Sequence, residues 1–231
     1  VEDVLVGQES SSYRVNGEIP VIPLESFSDE VASAMEDVSQ KMEEQDLYLN
    51  SSPGYWLRTF DRWADCEEFI GFPLNNPLEK SSLLETANYF AIAQDAETLN
   101  EESQRHCAVA LQGNIKGELQ HVTIDTGYLM GPIRIQMTVS LYPEGSGMEP
   151  GTGGSWNGEA EFEITSGVTG EGIPYTLVVS ETPESDYYND FSSADAYFVL
   201  KNGLYTLDAV SPGRDSGADA KAALEELLAL F

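Results

Sequence analysis

The sequence predicts an α+β fold: a long antiparallel sheet, arranged as a meander, packed with an N-terminal helix, a short second helix and a C-terminal helix. Apolar residues first recur at helical spacing, alternate with polar residues from about residue 87 onward, and return to helical spacing at the C-terminus. Helices followed by a long run of strands are typical of an α+β architecture. We expect residues 1–25 to form an extended tail or linker and residues 26–231 a single domain.

The first helix is predicted from a stripe of apolar side chains. Ser26 can cap its start, with Asp29 three residues further on, and the apolar positions that follow are three or four residues apart. These positions are Val31, Ala34, Met35, Val38 and Met42. The pattern predicts an amphipathic helix of about five turns, which ends before Pro53 and Gly54.

A short aromatic strand and the second helix are predicted next. Residues 55–60 contain Tyr, Trp and Phe, which favour strands. Asp61 can cap the helix that follows, and Gly71 can end it. The apolar side of this helix consists of Trp63, Cys66, Phe69 and Ile70.

Alternation with a period of two predicts the strands of the sheet. The segments that alternate are 89–94, 107–111, 118–125, 133–141, 160–164, 175–179, 196–200 and 204–207. Residues 95–105 read as a polar connection and residues 143–155 as a flexible, glycine-rich one. Asn202-Gly203 predicts a tight hairpin between the last two strands, and residues 218–231 predict the closing helix, with Ser216 before it.

The composition excludes several classes of partner. The chain has 11 basic and 40 acidic residues and a formal charge of −29, so it lacks the clustered cations that nucleic acid or an anionic membrane surface requires. Hydrophobic residues make up 41% of the chain, which is enough for a folded core and excludes a wholly disordered protein. The chain starts at Val1 without a leader. We therefore expect a trimmed or processed chain, tethered to a membrane by an upstream segment that is absent here.

No constellation for nucleophilic catalysis is recognisable, so we predict no catalytic residues. We interpret His106 and His121 as histidines on strand faces. Cys107 follows His106 directly, and neighbouring residues of a strand point to opposite faces, which makes cooperation between the two unexpected. Cys66 and Cys107 can form one disulfide or remain two buried thiols, and both alternatives stay open.

The sequence predicts neither a metal nor a cofactor, although its acidic residues offer two alternatives. Trp56, Trp63 and Trp156 could line a sugar groove beside paired carboxylates, as in a glycosidase, but core packing is the favoured interpretation for these aromatic residues. The segment from Asp186 to Asp195 carries hard oxygen ligands for calcium without the spacing of an EF-hand. We interpret it as a solvated acidic loop.

Two stretches resemble extracytoplasmic bacterial domains of unknown function. They are residues 60–77, a short acidic helix that ends in Gly-Phe-Pro-Leu and a second proline, and residues 197–207 with the closing Leu-Glu-Glu-Leu-Leu-Ala-Leu-Phe231. Such domains occur in Gram-positive lipoproteins and in the outer halves of anti-sigma factors, and they supply no catalytic residues. The resemblance implies a non-enzymatic domain outside the cytoplasm that binds a protein or a small ligand. The alternative is a secreted carboxylate-dependent hydrolase or a carbohydrate-binding protein.

Overall fold

A computed structural model gives the fold of the chain. The structure describes residues 5–7, 10–15, 19–44, 54–89, 104–146, 152–157, 162–181, 191–201, 203–213 and 215–231. Its helices are α1 Asp29–Glu44, α2 Trp63–Ile70 and α3 Gly217–Leu228. Its strands are β1 Leu5–Gly7, β2 Ser10–Val15, β3 Val21–Ile22, β4 Gly54–Phe60, β5 Glu85–Ala87, β6 Cys107–Gly113, β7 Leu119–Met130, β8 Ile133–Pro143, β9 Thr152–Asn157, β10 Phe162–Val168, β11 Pro174–Glu181, β12 Phe191–Leu200 and β13 Gly203–Pro212.

The predicted α+β class is confirmed, and the structure adds the strand order. Ten of the described strands form one sheet, in which eight follow the order β10-β11-β12-β13-β8-β7-β6-β4, while β3 pairs with β8 and β5 with β7. The sheet therefore consists of two meanders, β6-β7-β8 and β10 to β13, joined where β13 pairs with β8. All of these pairings are antiparallel except that of β3 with β8.

The three helices lie against one face of this sheet and bury one continuous core. Helix α1 contacts β4, β6 and α2, and α3 contacts β11, β12 and β13. All five apolar residues predicted for the first helix are buried, so the prediction of this helix is confirmed. None of the described helices has the length and apolar character needed to span a bilayer.

Helix α1 is capped differently from the prediction. The Val31 amide donates a hydrogen bond to Ser28 Oγ over 3.2 Å, so Ser28 caps the helix rather than Ser26. The Ser28 hydroxyl also donates to the Phe69 carbonyl, and the Ser28 amide donates to the Ile70 carbonyl. The cap therefore ties α1 to the C-terminal end of α2. Gly71 ends α2 in the left-handed region with φ of 101°, as predicted.

Strands also lie in the predicted extended tail and in the predicted glycine-rich connection. Strands β1 and β2 lie within residues 1–25 and pair with each other, and β2 also pairs with β9 in a separate three-stranded sheet. Strand β9 begins within the glycine-rich segment 143–155, which the sequence predicts to be a flexible connection, and ends two residues beyond it. Serine and glycine dominate these strands, so the apolar alternation that marks the other strands is missing from them. Part of the strand predicted over 89–94 lies outside the described residues.

Candidate functional site

A polar cluster lies at the inner face of the sheet, beside the start of β6. It consists of His106, Glu79, Tyr128, Thr126 and Asn76, and we call it the His106 cluster. Tyr128 and Thr126 are buried residues of β7. Glu79 belongs to a 3-10 turn over Pro77–Lys80, where the Asn76 side chain accepts a hydrogen bond from the Leu78 amide and so caps the turn.

The geometry around the His106 ring assigns its protonation state. His106 Nδ1 lies 2.9 Å from the carbonyl oxygen of Ala87, and Nε2 lies 2.7 Å from Glu79 Oε1. A carbonyl oxygen and a carboxylate oxygen can only accept hydrogen bonds, so both ring nitrogens must donate. His106 is therefore an imidazolium, paired with the Glu79 carboxylate while only 9% of its surface is exposed.

The carboxylate of Glu79 is shared with a second donor. Tyr128 OH donates to Glu79 Oε1 over 2.6 Å, and Asn76 Nδ2 donates to Tyr128 OH over 2.8 Å. The Tyr128 ring also meets the His106 ring edge-on, at a centroid distance of 5.2 Å. The chain of hydrogen bonds thus fastens the 3-10 turn and β5, which supplies the Ala87 carbonyl, to the buried face of the sheet.

Gly127 allows β5 to approach β7 closely enough for this arrangement. Ala87 pairs with Gly127 across the two strands. A side chain on Gly127 would overlap the backbone carbonyl of Asn88, which follows β5. The absence of a Cβ atom at this position therefore lets the Ala87 carbonyl reach the His106 ring.

Two cysteines lie next to the His106 cluster and extend it into the core. Cys66 of α2 and Cys107 of β6 are free, have no exposed surface, and are in hydrogen-bonding contact with each other. Cys107 Sγ also lies 3.6 Å from Thr126 Oγ1, which lies 3.2 Å from His106 Nε2. The Cys107 sulfur therefore adjoins the cluster at both Thr126 and His106.

The electrostatics of the cluster follow from these contacts. Burial acts to lower the pKa of His106, but its hydrogen bonds to Cys107, Glu79 and the Ala87 carbonyl raise this pKa to about 10. Burial acts to raise the pKa of Glu79, but hydrogen bonds from His106 and Tyr128 hold it below the ordinary value. The two groups are therefore both charged at neutral pH and compensate each other.

The premise that His106 and Cys107 point to opposite faces of a strand is wrong, whereas the absence of catalytic cooperation between them stays a prediction. Strand alternation does not apply to this pair, because β6 begins at Cys107 and His106 lies just before it. Both side chains instead reach the hydroxyl of Thr126 on the neighbouring strand. For the other histidine the prediction is confirmed: His121 lies within β7, opposite Gln112, and its ring stacks on Tyr142 at 4.8 Å.

Sequence reasoning missed Glu79, Tyr128, Thr126 and Asn76 as members of a site. Glu79 is 27 residues before His106, and Tyr128 is 49 residues after Glu79, so no local spacing links them. One available signal was Asn76-Pro77, because Asn is a favoured N-cap and proline is favoured in a first helical turn. It marks a turn that would present Glu79, although the direction in which Glu79 points depends on the tertiary fold.

A surface groove forms the second candidate site, at the edge of the sheet where α1 meets β4. It has a volume of about 370 Å³ and is lined by Asp29, Glu30, Ser33, Trp56, Arg58 and Phe69, with Ala34 at its base. We call it the β4 groove. Trp56 stacks on Phe69 at a centroid distance of 5.1 Å with an angle of 7° between the rings.

Charged groups border these aromatic rings. The Arg58 guanidinium lies 6.0 Å from the centre of the Phe69 ring, and Arg58 Nη1 lies 3.7 Å from Glu30 Oε2. More than half of each of these two charged side chains is exposed. The β4 groove therefore combines a flat aromatic floor with accessible donors and acceptors.

The tryptophans that were candidates for a sugar groove lie in different elements of the fold. Trp63 is buried and Trp56 packs against the core, both as the packing interpretation predicts, and Trp56 also lines the β4 groove. Trp156 lies in β9. Residues 186–190 of the predicted acidic loop lie outside the described residues, and Asp195 belongs to β12 rather than to a loop. The described residues contain no group of three or more His, Cys, Asp or Glu arranged to hold a metal ion.

Two aspartates face each other on the sheet face opposite the helices. Asp195 and Asp208 are register partners on β12 and β13 and share a hydrogen bond. Burial raises the pKa of Asp208 well above its ordinary value, and the neighbouring charge of Asp195 raises it further. A hydrogen bond between two carboxyl groups requires one of them to keep its proton.

We expect Asp208→Asn to raise the melting temperature at neutral pH by about 2–4 °C, the shift that 1 kcal/mol produces at this chain length. A carboxyl group whose folded pKa is raised stabilises the fold fully below its unfolded pKa, and this stability is lost as the pH rises through the folded pKa. The gain should therefore vanish near about pH 4. Thermal melts of both proteins at the two pH values check this, with the exposed Asp215→Asn as control. An equal gain at both pH values would contradict the shared proton.

Comparison of the chain with known proteins finds no matching family model, no similar curated protein and no similar solved structure.

Proposed function

We propose that the chain is a non-enzymatic extracytoplasmic domain of a bacterial surface lipoprotein or of an anti-sigma-factor-like sensor, and that it acts by binding a ligand in the β4 groove. The observation that carries the proposal is the groove itself, with its aromatic floor and accessible charged rim. Binding sites are concave and combine apolar surface with a few polar groups that orient the ligand. The resemblance of residues 60–77 and 197–207 to extracytoplasmic domains supports the location.

The His106 cluster supports binding rather than catalysis as the role of this chain. Cys66 and Cys107, the thiols beside it, have no exposed surface, and a nucleophile must come within bonding distance of its substrate. Both nitrogens of His106 are occupied as donors, so the ring has no lone pair with which to act as a base. These side chains are therefore suited to holding the fold together.

A carbohydrate ligand is the second candidate function, and the position of Trp56 favours it. Flat aromatic rings pack against the apolar faces of sugars, while Asp29, Glu30 and Ser33 offer oxygen atoms to hydroxyl groups. Hydrolysis is less well supported, since a glycosidase places its two carboxyl groups on opposite sides of the scissile bond. Asp29 and Glu30 are consecutive residues in the first turn of one helix.

Binding in the β4 groove is tested by titrating the purified chain with soluble oligosaccharides such as chitohexaose and cellohexaose. We expect saturable binding, and we expect Trp56→Ala to weaken it at least tenfold, which corresponds to about 1.4 kcal/mol. The matched control is Tyr55→Ala, because Tyr55 is the adjacent aromatic residue and is 66% exposed outside the groove. Equal loss in both variants would contradict a site in the groove, and no binding of either sugar would contradict the carbohydrate candidate.

The extracytoplasmic location has an independent test in the gene. We expect the reading frame upstream of Val1 to encode a secretion leader, a lipoprotein signal or a single membrane span. A full-length frame without any of these would contradict the location while leaving the binding measurement unaffected. A neighbouring sigma-factor gene would favour the sensor over the lipoprotein.

A further inference from the structure

The contact between the two thiols joins parts of the fold that are distant in sequence. Cys66 lies on the buried side of α2, and Cys107 is the first residue of β6. Neither has exposed surface, and their side chains are in hydrogen-bonding contact. The rest of the α2 face packs into the same core, with Phe69 and Ile70 buried, so the two sulfur atoms are held together by the packing of the helix on the sheet.

The surroundings of the two sulfur atoms are different. The hydrogen bond from Cys66 lowers the pKa of Cys107, burial opposes this, and the nearby His106 imidazolium lowers it further. The same hydrogen bond, together with burial, raises the pKa of Cys66. The surroundings therefore favour the thiolate, which is the nucleophilic form, on Cys107 over Cys66.

We propose that Cys66 and Cys107 are a redox pair that closes as an intramolecular disulfide between α2 and β6 when the chain folds in the presence of a disulfide donor. The inference rests on the proposed function only because an extracytoplasmic location supplies oxidising surroundings. The chemistry itself depends on the contact between the sulfur atoms and on their position beside Thr126 and His106.

The reaction is two successive thiol–disulfide exchanges. While α2 is undocked, the deprotonated sulfur of Cys66 attacks a donor disulfide such as glutathione disulfide, forms a mixed disulfide and releases one glutathione thiolate. As α2 docks, the Cys107 thiolate attacks the Cys66 sulfur, the protein disulfide forms, and the second glutathione thiolate leaves. The two cysteines lose two protons and two electrons, and the donor disulfide gains them as two thiols.

Closure of this bond would stabilise the folded chain. It would cross-link a loop of about 40 residues, and a loop of this length restricts the unfolded chain substantially. By thermodynamic linkage, the equilibrium constant for closing the disulfide is larger in the folded chain than in the unfolded chain. The ratio of these two constants equals the factor by which the disulfide raises the folding equilibrium constant. We expect this factor to be about 100-fold or more.

The test uses the reduced full chain, unfolded in urea and diluted into glutathione buffers of graded redox ratio. Free thiols are then blocked with N-ethylmaleimide under denaturing conditions, and the intact mass is measured. We expect folded chains to become lighter by two hydrogen atoms and to yield one peptide pair joined through Cys66 and Cys107. Samples kept in urea should require about 100-fold more oxidising buffer for the same extent of closure. The oxidised chain should melt about 10 °C higher than the reduced chain.

Cys66→Ala and Cys107→Ala serve as controls, since each leaves one thiol that can take up glutathione but cannot close the bond. The mass of the wild-type chain decides the question even if a variant fails to fold. A folded wild-type chain that keeps both thiols in oxidising buffer would overturn the proposal, and so would a disulfide between two chains. The proposal would also be overturned if the disulfide closed at the same glutathione redox ratio in the folded chain and in the urea-unfolded chain. None of these results would bear on ligand binding or on the upstream reading frame.

Discussion

Glu79→Gln is expected to destabilise the fold by about 2–3 kcal/mol. The substitution removes the negative charge that compensates the His106 imidazolium, and breaking a buried ion pair on one side leaves an uncompensated charge. The expected loss is smaller than for a fully buried pair because 27% of the Glu79 side chain is exposed. Equilibrium unfolding in urea, followed by tryptophan fluorescence, measures the difference from the wild-type chain.

The pH dependence of this difference identifies its cause. Glu79 has a lowered pKa in the fold, so its contribution is present above its unfolded pKa of about 4.5 and is lost as the pH falls. His106 has a raised pKa, so its contribution is complete below about 6.5 and is lost as the pH rises through about 10. The cost of Glu79→Gln should therefore be greatest between about pH 4.5 and pH 6.5 and should shrink on both sides.

Glu85→Gln is the matched control, because Glu85 is an exposed residue of β5, close in sequence to Glu79. We expect it to change the free energy of unfolding by less than about 0.5 kcal/mol. If Glu79→Gln has an effect as small as that of the control, or one that does not vary with pH, the ion pair does not hold the 3-10 turn to the sheet.

The elements that could be predicted from the sequence are those whose apolar pattern is local. Helix α1 shows this, because its five buried side chains follow one another at helical spacing. The β12–β13 hairpin shows it as well, since alternating segments flank Asn202-Gly203, although Gly203 pairs with Leu200 as the first residue of β13 instead of lying in the turn. In both cases a few neighbouring residues determine which face is buried.

The elements that could not be predicted depend on contacts between distant residues or on strands without apolar alternation. The pairing of β13 with β8 joins two meanders that are separate in sequence, and no turn signal specifies such a pairing. The His106 cluster also depends on contacts between residues that are distant in sequence, because its hydrogen bonds connect a 3-10 turn, the start of β6 and the middle of β7. Its residue types are ordinary, and their arrangement arises from tertiary packing alone.

The largest loss of stability is expected for Phe231→Ala, at about 3–5 kcal/mol. Phe231 has no exposed surface, and its ring meets Phe198 and Tyr205 edge-on at centroid distances of 5.0 Å and 6.0 Å. Phe198 and Tyr205 lie on β12 and β13 and stack on each other at 5.4 Å. Truncation would therefore open a cavity at the point where the end of the chain closes the core over the central hairpin.

The neighbouring residue provides the control for this prediction. Leu230→Ala removes a side chain that is 38% exposed, so we expect a cost below about 1 kcal/mol. Thermal melts should show a fall of about 10 °C for Phe231→Ala and of a few degrees at most for Leu230→Ala. Similar losses in both variants would mean that the last residues contribute through the backbone, whose Phe231 carbonyl accepts a hydrogen bond from the Glu171 amide over 3.0 Å. A much larger loss at Phe231 would instead show that its aromatic ring fixes α3 to the sheet.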